Sequence, residues 1–214
     1  IRDRPILIDK RGIIGSLELD IYLPEDNLAI EYNGLYSHYY RPNETSFSAQ
    51  KGSKYHITKT QSCEDKNIQL IHILSNQWLR NKTLWKNFIK NKLGYTENKV
   101  YARNCEIRPV SIHEKNIFLD ENHIQGTTVS TFRYGLYFND ELLSLITFGK
   151  PRYNRECKWE LIRFCNKQSY NVVGGFSRLL SYFRKNHPGS IVTYANRMYS
   201  CLLYTSPSPR DATL

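Results

Sequence analysis

Residues 13–23 have the pattern of an extended segment, in which apolar and polar residues alternate through LELDIYL, and alternation returns along residues 28–32, LAIEY. Strict alternation is typical of a β-strand, because successive side chains point to opposite faces of a sheet. The second run stops at Asn33-Gly34, a dipeptide that favours a turn. We therefore predict a hairpin of two neighbouring strands, with a further extended segment at residues 6–8.

Helical spacing follows further along the chain. Residues 55–66 have helical spacing, and residues 68–74, IQLIHIL, form a short apolar run of strand length. Residues 83–93 place their apolar side chains on one helical face, and Gly94 follows as a predicted C-cap. A row of lysines, Lys82, Lys86 and Lys90, falls on the opposite face. That row predicts either a solvated surface or a surface that faces phosphate groups.

The second half of the chain has the pattern of a separate domain. We place the boundary in the polar stretch 94–99, so that residues 1–94 form one domain and residues 95–200 a second. The second domain has a predicted helix from residue 117, strands at 134–139, 141–149 and 159–165, and then a helix after Gly174-Gly175 and the strand SIVTYA. This mixture of helices and strands assigns the chain to the α/β class.

The charge of the chain indicates its partner. There are 30 Lys and Arg against 20 Asp and Glu, which gives a formal net charge of +10. A basic surface of this size attracts a nucleic acid, because binding to the phosphate backbone releases counterions. Double-stranded DNA is the predicted partner, and an ordinary basic protein is the alternative.

Cysteine spacing and hydropathy exclude several classes of protein. The 5 cysteines form no CxxC pair and no zinc-like Cys/His pattern, so neither a zinc knuckle nor a disulfide scaffold is expected. No apolar run reaches membrane-spanning length, and no signal peptide opens the chain. We expect an intracellular, cytoplasmic protein without a membrane partner.

Both ends of the sequence have unusual features. The chain begins at Ile1 without Met and soon enters a strand-like run, so we expect an upstream segment to be missing. The C-terminal segment CLLYTSPSPRD resembles the in-frame translation of a sequencing adaptor. We therefore expect residues 201–214 to lie outside the natural protein and the second domain to be cut short.

Carboxylates occupy positions of the predicted hairpin where they can meet. Glu18 and Asp20 share one face of the first strand, and Glu31 and Asn33 share one face of the second. If the strands pair, Asp20 and Glu31 converge at one end. Two close carboxylates are tolerated when a cation lies between them, and hard oxygen ligands favour Mg²⁺, with Mn²⁺ as an alternative. The competing interpretation is that these acids line the solvent side of an amphipathic hairpin.

The same acids stand in a family motif. Asp20 followed by Glu31-Tyr32-Asn33 resembles the PD-(D/E)xK nuclease motif, with Asn33 in the place of the usual lysine. Asp20 followed by NGLYSH more closely resembles the very-short-patch mismatch repair endonucleases and their phage-type homing endonuclease relatives. The resemblance continues through KYHITKTQSCEDKNIQLIHILSNQW and covers about residues 13–93. It implies a restriction-endonuclease-like core, in which helices flank a mixed sheet, and Mg²⁺-dependent hydrolysis of DNA.

The resemblance assigns roles to individual residues. Asp20 and Glu31 would hold the metal ion together with the backbone carbonyl of Tyr32. His38 would be the general base that deprotonates water, because a neutral imidazole accepts a proton near pH 7. Glu18 is an auxiliary candidate on the same strand as Asp20.

The departure from the motif leaves one role open. Asn33 is expected to hydrogen-bond the scissile phosphate or the water, but it cannot supply the positive charge of a lysine. Lys54 and Lys59 are the candidates for that charge. His56, on the helix after the loop, is a further active-site candidate, whereas His72, in an apolar run, is predicted to be a satisfied core histidine.

The order of elements around Gly174-Gly175 resembles the acetyl-CoA-dependent N-acetyltransferase (GNAT) superfamily over about residues 117–196. The resemblance implies an α+β fold and a loop that presents backbone N–H groups to the cofactor pyrophosphate, with assistance from Arg178. The fuller glycine-rich signature of an active acetyltransferase is missing, so acetyl-CoA is not expected as a cofactor. We favour an accessory DNA-recognition module over a working transferase.

The favoured function is that of a DNA endonuclease of the homing type. One alternative is a GNAT-type acyltransferase whose N-terminal half only binds nucleic acid. The other is a DNA-binding module with a degenerate nuclease core.

Overall fold

The computed structural model describes residues 4–34 and 55–199, which form a mixed α/β protein with sheets flanked by helices. The strands are Leu7–Ile14 (β1), Leu17–Leu23 (β2), Leu28–Asn33 (β3), Gln69–Leu74 (β4), Asn98–Tyr101 (β5), Glu106–Pro109 (β6), Phe132–Phe138 (β7), Glu141–Gly149 (β8), Trp159–Asn166 (β9), Tyr170–Val173 (β10) and Ile191–Thr193 (β11). The helices are Tyr55–Glu64 (α1), Ser75–Arg80 (α2), Lys82–Lys92 (α3), Ile112–Asn122 (α4) and Gly175–Asn186 (α5).

The described residues divide into two compact units. The first contains the described residues up to Lys82 together with 195–199, and the second contains residues 83–194. The boundary predicted after Gly94 therefore falls too late, because α3 after its first residue belongs to the second unit. The side chain of Asn87 on α3 donates a hydrogen bond to Gln168 of that unit. A polar stretch marked the end of a helix here rather than the end of a domain.

The predicted end of the second domain also differs from the structure. The carbonyl of Met198 accepts a hydrogen bond of 2.7 Å from the N–H of His72 on β4, and Arg197 forms an ion pair of 2.7 Å with Glu64. Residues 195–199 thus belong to the first unit, along the edge strand of its sheet. Residues 201–214 lie outside the described part of the chain.

The first unit is built on a four-stranded sheet in the order β1-β2-β3-β4. β1 and β2 are antiparallel, as are β2 and β3, whereas β3 and β4 are parallel. The predicted hairpin of β2 and β3 is confirmed. Parallel strands need a long crossover connection, and α1 lies on the connection between β3 and β4. Its core includes Leu19, Ala29 and Cys63, each 0% exposed.

The second unit contains a five-stranded sheet in the order β11-β9-β8-β7-β6 and a parallel pair of β10 with β5. Asn139 and Asp140 both have positive φ angles, 49° and 61°, and form the predicted tight turn between β7 and β8. The helix predicted from residue 117 begins earlier, at Ile112, because Ser111 Oγ caps it by accepting from the N–H of Glu114 at 3.1 Å.

A buried aromatic and aliphatic core joins α5 to this sheet. Leu179 and Phe183 on α5 are 0% exposed, and Phe183 stacks on Phe148 of β8. The helix predicted after the glycine pair and the strands predicted on both sides of it are confirmed. Among the described residues, every helix is too short or too polar to cross a bilayer.

Candidate functional site

Asp20 and Glu31 meet where the pairing of β2 with β3 ends. The last register pair is Ile21 with Ile30, and its continuation brings Asp20 opposite Glu31. The N–H of Asp20 donates to Glu31 Oε1 at 3.2 Å, and the N–H of Tyr32 donates to Asp20 Oδ2 at 2.8 Å. Each carboxylate is therefore held by a backbone donor of the opposite strand. The predicted convergence of the two acids is confirmed.

Lys59 brings a positive charge to the acid pair from helix α1. Its Nζ lies 2.6 Å from Glu31 Oε2, and the two side chains are only 3% and 6% exposed. Burial raises the pKa of Glu31, and the charge of Asp20 adds to this rise, whereas the hydrogen bond and charge of Lys59 oppose it. The ionised form of Glu31 therefore depends on nearby positive charge.

A polar cavity of about 370 Å³ adjoins these side chains. Its lining includes Arg11, Glu18, Asp20, Glu31, Asn33 and Lys59. Glu18 pairs with Arg11 rather than with the two converging acids, since Arg11 Nε donates to Glu18 Oε2 at 2.7 Å. Asp20 Oδ1, in contrast, has no hydrogen-bond partner among the described residues. The cavity thus combines two fixed carboxylates with a buried ammonium group.

Buried hydrogen bonds fix the orientation of Asn33. Thr60 Oγ1 donates to the carbonyl of His56 at 2.8 Å, so it accepts the proton of His72 Nε2 at 2.9 Å. His72 Nδ1 is then the acceptor for Asn33 Nδ2 at 3.2 Å. His72 is 3% exposed, and the prediction of a satisfied core histidine is confirmed.

The same hydrogen bonds restrict how Asn33 can act, and its predicted contact with the phosphate or the water stays a prediction. One of the two N–H donors of its amide group is used by His72 and points into the protein. Its Oδ1 has no hydrogen-bond partner among the described residues, although Asn33 lines the cavity beside the acids. Asn33 can therefore present a carbonyl oxygen to water or to a cation.

His56 does not join the acid pair. It lines a separate, largely apolar cavity of about 220 Å³ with Thr60 and His72. Residues four apart share one side of a helix, so His56 and Thr60 face this cavity, whereas Tyr55 and Lys59 face the acids. His56 thus lies away from Asp20 and Glu31, in a cavity that Asn33 also lines, and its place in an active site stays a prediction.

Two predicted residues, His38 and Lys54, lie outside the described residues. Tyr32 contributes its N–H group by binding Asp20, and its carbonyl remains only a predicted metal ligand. Within residues 4–34 and 55–199, no group of three or more His, Cys, Asp or Glu side chains is arranged to hold a metal ion. Among the described residues, Asp20 and Glu31 are the two carboxylates that meet here, and Asn33, with its side-chain oxygen, lines the same cavity.

The residues of the predicted cofactor loop, Gly174, Gly175 and Arg178, have structural roles in the second unit. Gly174 has a φ angle of +76° at the start of α5, a conformation that suits glycine. A Cβ atom on Gly175 would lie 3.2 Å from Ser144 Oγ and from Val172 Cγ1. Arg178 donates a hydrogen bond to the carbonyl of Ala102. A cavity of about 560 Å³ lies beside these residues.

Comparison of the chain with protein-family models, with curated proteins and with solved structures found no match. The geometry of the candidate site therefore has to carry the functional argument. Three residues were missed from the sequence: Arg11 and Tyr55, which line the acid cavity, and Thr60, which binds His72. The spacing of four between Tyr55 and Lys59 and between His56 and Thr60 was the available signal for two of them.

Proposed function

We propose that this chain is a metal-dependent endonuclease that hydrolyses phosphodiester bonds of double-stranded DNA. The observation that carries the proposal is the meeting of Asp20, Glu31 and Lys59 at one cavity. Two carboxylates and a lysine are the side chains that the PD-(D/E)xK resemblance implies, and Lys59 on α1 supplies the charge that Asn33, in the usual lysine position, cannot. The net charge of +10 favours a polyanionic substrate.

The donor set suits a hard divalent cation. Asp20 and Glu31 offer carboxylate oxygens. Burial together with the charge of Asp20 raises the pKa of Glu31, and a bound cation would lower it again by stabilising the ionised carboxylate. Asp20 and Glu31 would hold Mg²⁺ or Mn²⁺, with the Asn33 or Tyr32 carbonyl as a further oxygen ligand. The ion, when bound, polarises the phosphate and makes a bound water more acidic.

The side chains of the chain itself have distinct tasks in this proposal. Lys59 favours the ionised form of Glu31 and places positive charge near the phosphate, where negative charge grows as water adds to phosphorus and the ester bond breaks. Asn33, held by His72, presents Oδ1 as an acceptor that can orient the attacking water. His38, in the segment outside the described residues, stays the proposed general base.

We also propose a specific fold for each of the two units. The order of β1, β2, β3, α1 and β4 around a mixed sheet supports a restriction-endonuclease-like core. For the second unit we propose a GNAT-like accessory module that recognises DNA without acyl transfer. Arg178 is bound to the carbonyl of Ala102, which favours this over a phosphate-binding loop. Binding of acetyl-CoA in calorimetry would instead favour a transferase.

Nicking of a supercoiled plasmid tests the proposed reaction. Cleavage is expected with Mg²⁺ and not with EDTA, and the variants Asp20→Asn, Glu31→Gln and His38→Ala are expected to lose it. Asp140→Asn is the matched control, because this carboxylate is 86% exposed on a turn of the second unit. Cleavage that survives both Asp20→Asn and Glu31→Gln would refute the site.

A further inference from the structure

Helix α3 belongs to a long segment without acidic residues. No Asp or Glu occurs from residue 66 to residue 96, whereas the same segment contains Lys66, Arg80, Lys82, Lys86, Lys90 and Lys92. A solvated helix of ordinary composition alternates the two signs, since acids and bases four apart stabilise it. Like charges at this spacing destabilise a helix, so helix stability does not explain the pattern.

The structure arranges three of these lysines in one exposed row. Lys82, Lys86 and Lys90 are all exposed, and none of them has an ion-pair or hydrogen-bond partner among the described residues. The opposite face of the helix is buried, with Leu84 6% and Trp85 2% exposed. The helix is thus anchored by its apolar side and presents only positive charge on the other.

The row matches the phosphate backbone of a duplex. Residues four apart are separated by about 6 Å along a helix, so the three lysines span about 12 Å. One strand of a duplex carries a phosphate about every 3.4 Å of axis, and about three phosphates therefore lie along that span. Lysine side chains are long enough to adjust to the remaining difference.

We propose that the Lys82, Lys86 and Lys90 face of α3 is a contact surface for the phosphate backbone of double-stranded DNA. The inference takes from the proposed function only the identity of the partner. An anionic membrane is the less suitable partner, because an interfacial helix inserts an apolar face and the apolar face of α3 is already buried. Phosphate contacts of this kind position the duplex and carry no sequence preference.

The salt dependence of DNA binding tests this surface. A labelled duplex is titrated with the full chain in EDTA across about 50 to 200 mM KCl, and log K is plotted against log salt. The variant Lys82→Gln, Lys86→Gln, Lys90→Gln should lose affinity at low salt, and its slope should be shallower by about 0.9 for each lost contact. Glutamine keeps a similar helix propensity, so the helix should persist.

A second triple variant controls for net charge. Lys10→Gln, Lys150→Gln, Lys185→Gln removes the same charge from exposed positions on β1, directly after β8 and on α5. Its slope should stay close to that of the wild type. Equal slopes for the two triple variants would overturn the inference, as would weaker binding of the α3 variant to phosphatidylserine vesicles with unchanged duplex binding.

The binding assay in EDTA is independent of catalysis. A chain that binds the duplex through α3 and never nicks a plasmid would refute the proposed nuclease and leave this inference standing. If the wild-type chain nicks the plasmid but the α3 triple variant has the wild-type salt slope, the inference about α3 is refuted and the proposed nuclease stands.

Discussion

Two buried glutamates of this protein each meet one basic side chain, but the surroundings differ. Glu160 is 1% exposed and receives three hydrogen bonds of 2.7 to 2.9 Å from Arg152, whose side chain is 52% exposed. Glu31 meets Lys59, which is buried as deeply as the acid, and has Asp20 as an acidic neighbour. The first pair ties a loop to a strand, whereas the second concentrates charge at a cavity.

The comparison shows which buried charges suggest function. A buried ion pair alone is weak support for stability or for catalysis, because desolvation offsets the attraction. What separates Glu31 from Glu160 is the second carboxylate and the open cavity, which leave room for a cation and a substrate.

The largest expected effect is that of Lys59→Met on cleavage. The variant removes the positive charge beside Glu31 and raises the pKa of that acid further. Loss of one electrostatic stabiliser lowers a rate by about 100- to 1000-fold, which is the reduction expected in Mg²⁺-dependent plasmid nicking. Arg152→Met should keep the wild-type rate. Equal loss in both variants would mean that Lys59 acts only through stability.

Replacing each ion pair, Glu31 with Lys59 and Glu160 with Arg152, by neutral residues should change the free energy of unfolding differently. Glu31→Gln with Lys59→Met should leave the free energy of unfolding unchanged or higher, because both charges of that pair are desolvated. Glu160→Gln with Arg152→Met should lower it by about 2 kcal/mol, since Arg152 stays half in water and its hydrogen bonds to the carboxylate are lost.

Hydrogen exchange can follow each unit on its own. Amide protons of β3 report on the first double variant and those of β9 on the second. A large loss of protection in β3, with none in β9, would show that the pair of Glu31 and Lys59 stabilises the fold and that the pair of Glu160 and Arg152 does not.

Alternation predicted the meeting of the acids but not the lysine that joins them. Asp20 and Glu31 are brought together by strand pairing, and a period of two fixes which side chains share a face. The approach of Lys59 depends on how α1 is rotated on the sheet, which neighbouring residues do not reveal. Glu160 sits in an ordinary strand pattern, and its partner is found only through the fold.

The limits of the fold prediction have a similar cause. Long apolar runs such as β4 and β8 were predicted, because burial leaves a clear pattern. β1 carries the polar run Asp9, Lys10 and Arg11 at a sheet edge, and only residues at its two ends, 7–8 and 13–14, were expected to be extended. The place of α3 was missed because one buried face does not say which unit buries it.

A smaller effect is expected from Thr60→Val, which leaves the charged pair intact. The variant removes the acceptor for His72 Nε2 and so frees the ring and the amide of Asn33 to turn. Loss of one oriented acceptor near the acids should lower plasmid nicking by about tenfold, or about 1.4 kcal/mol.

Thr147→Val is the control for this substitution. Thr147 Oγ1 is buried without a hydrogen-bond partner in the described part of the chain, so its replacement should leave cleavage unchanged and stability equal or higher. A Thr60→Val protein that nicks at the wild-type rate would show that the orientation of Asn33 is not used in the reaction.

The smallest expected effect is a pH dependence that belongs to Glu31. A carboxyl group with a raised pKa binds more protons in the folded protein than in the unfolded chain. Stability should therefore fall as the pH rises from the ordinary value of 4.5 through the folded pKa. Urea unfolding at a series of pH values should show this fall in the wild type, a larger fall in Lys59→Met and none attributable to this group in Glu31→Gln. Mg²⁺ should reduce the fall by stabilising the ionised acid. If neither Glu31→Gln nor Mg²⁺ changes the dependence of the unfolding free energy on pH, Glu31 is not part of a cation site.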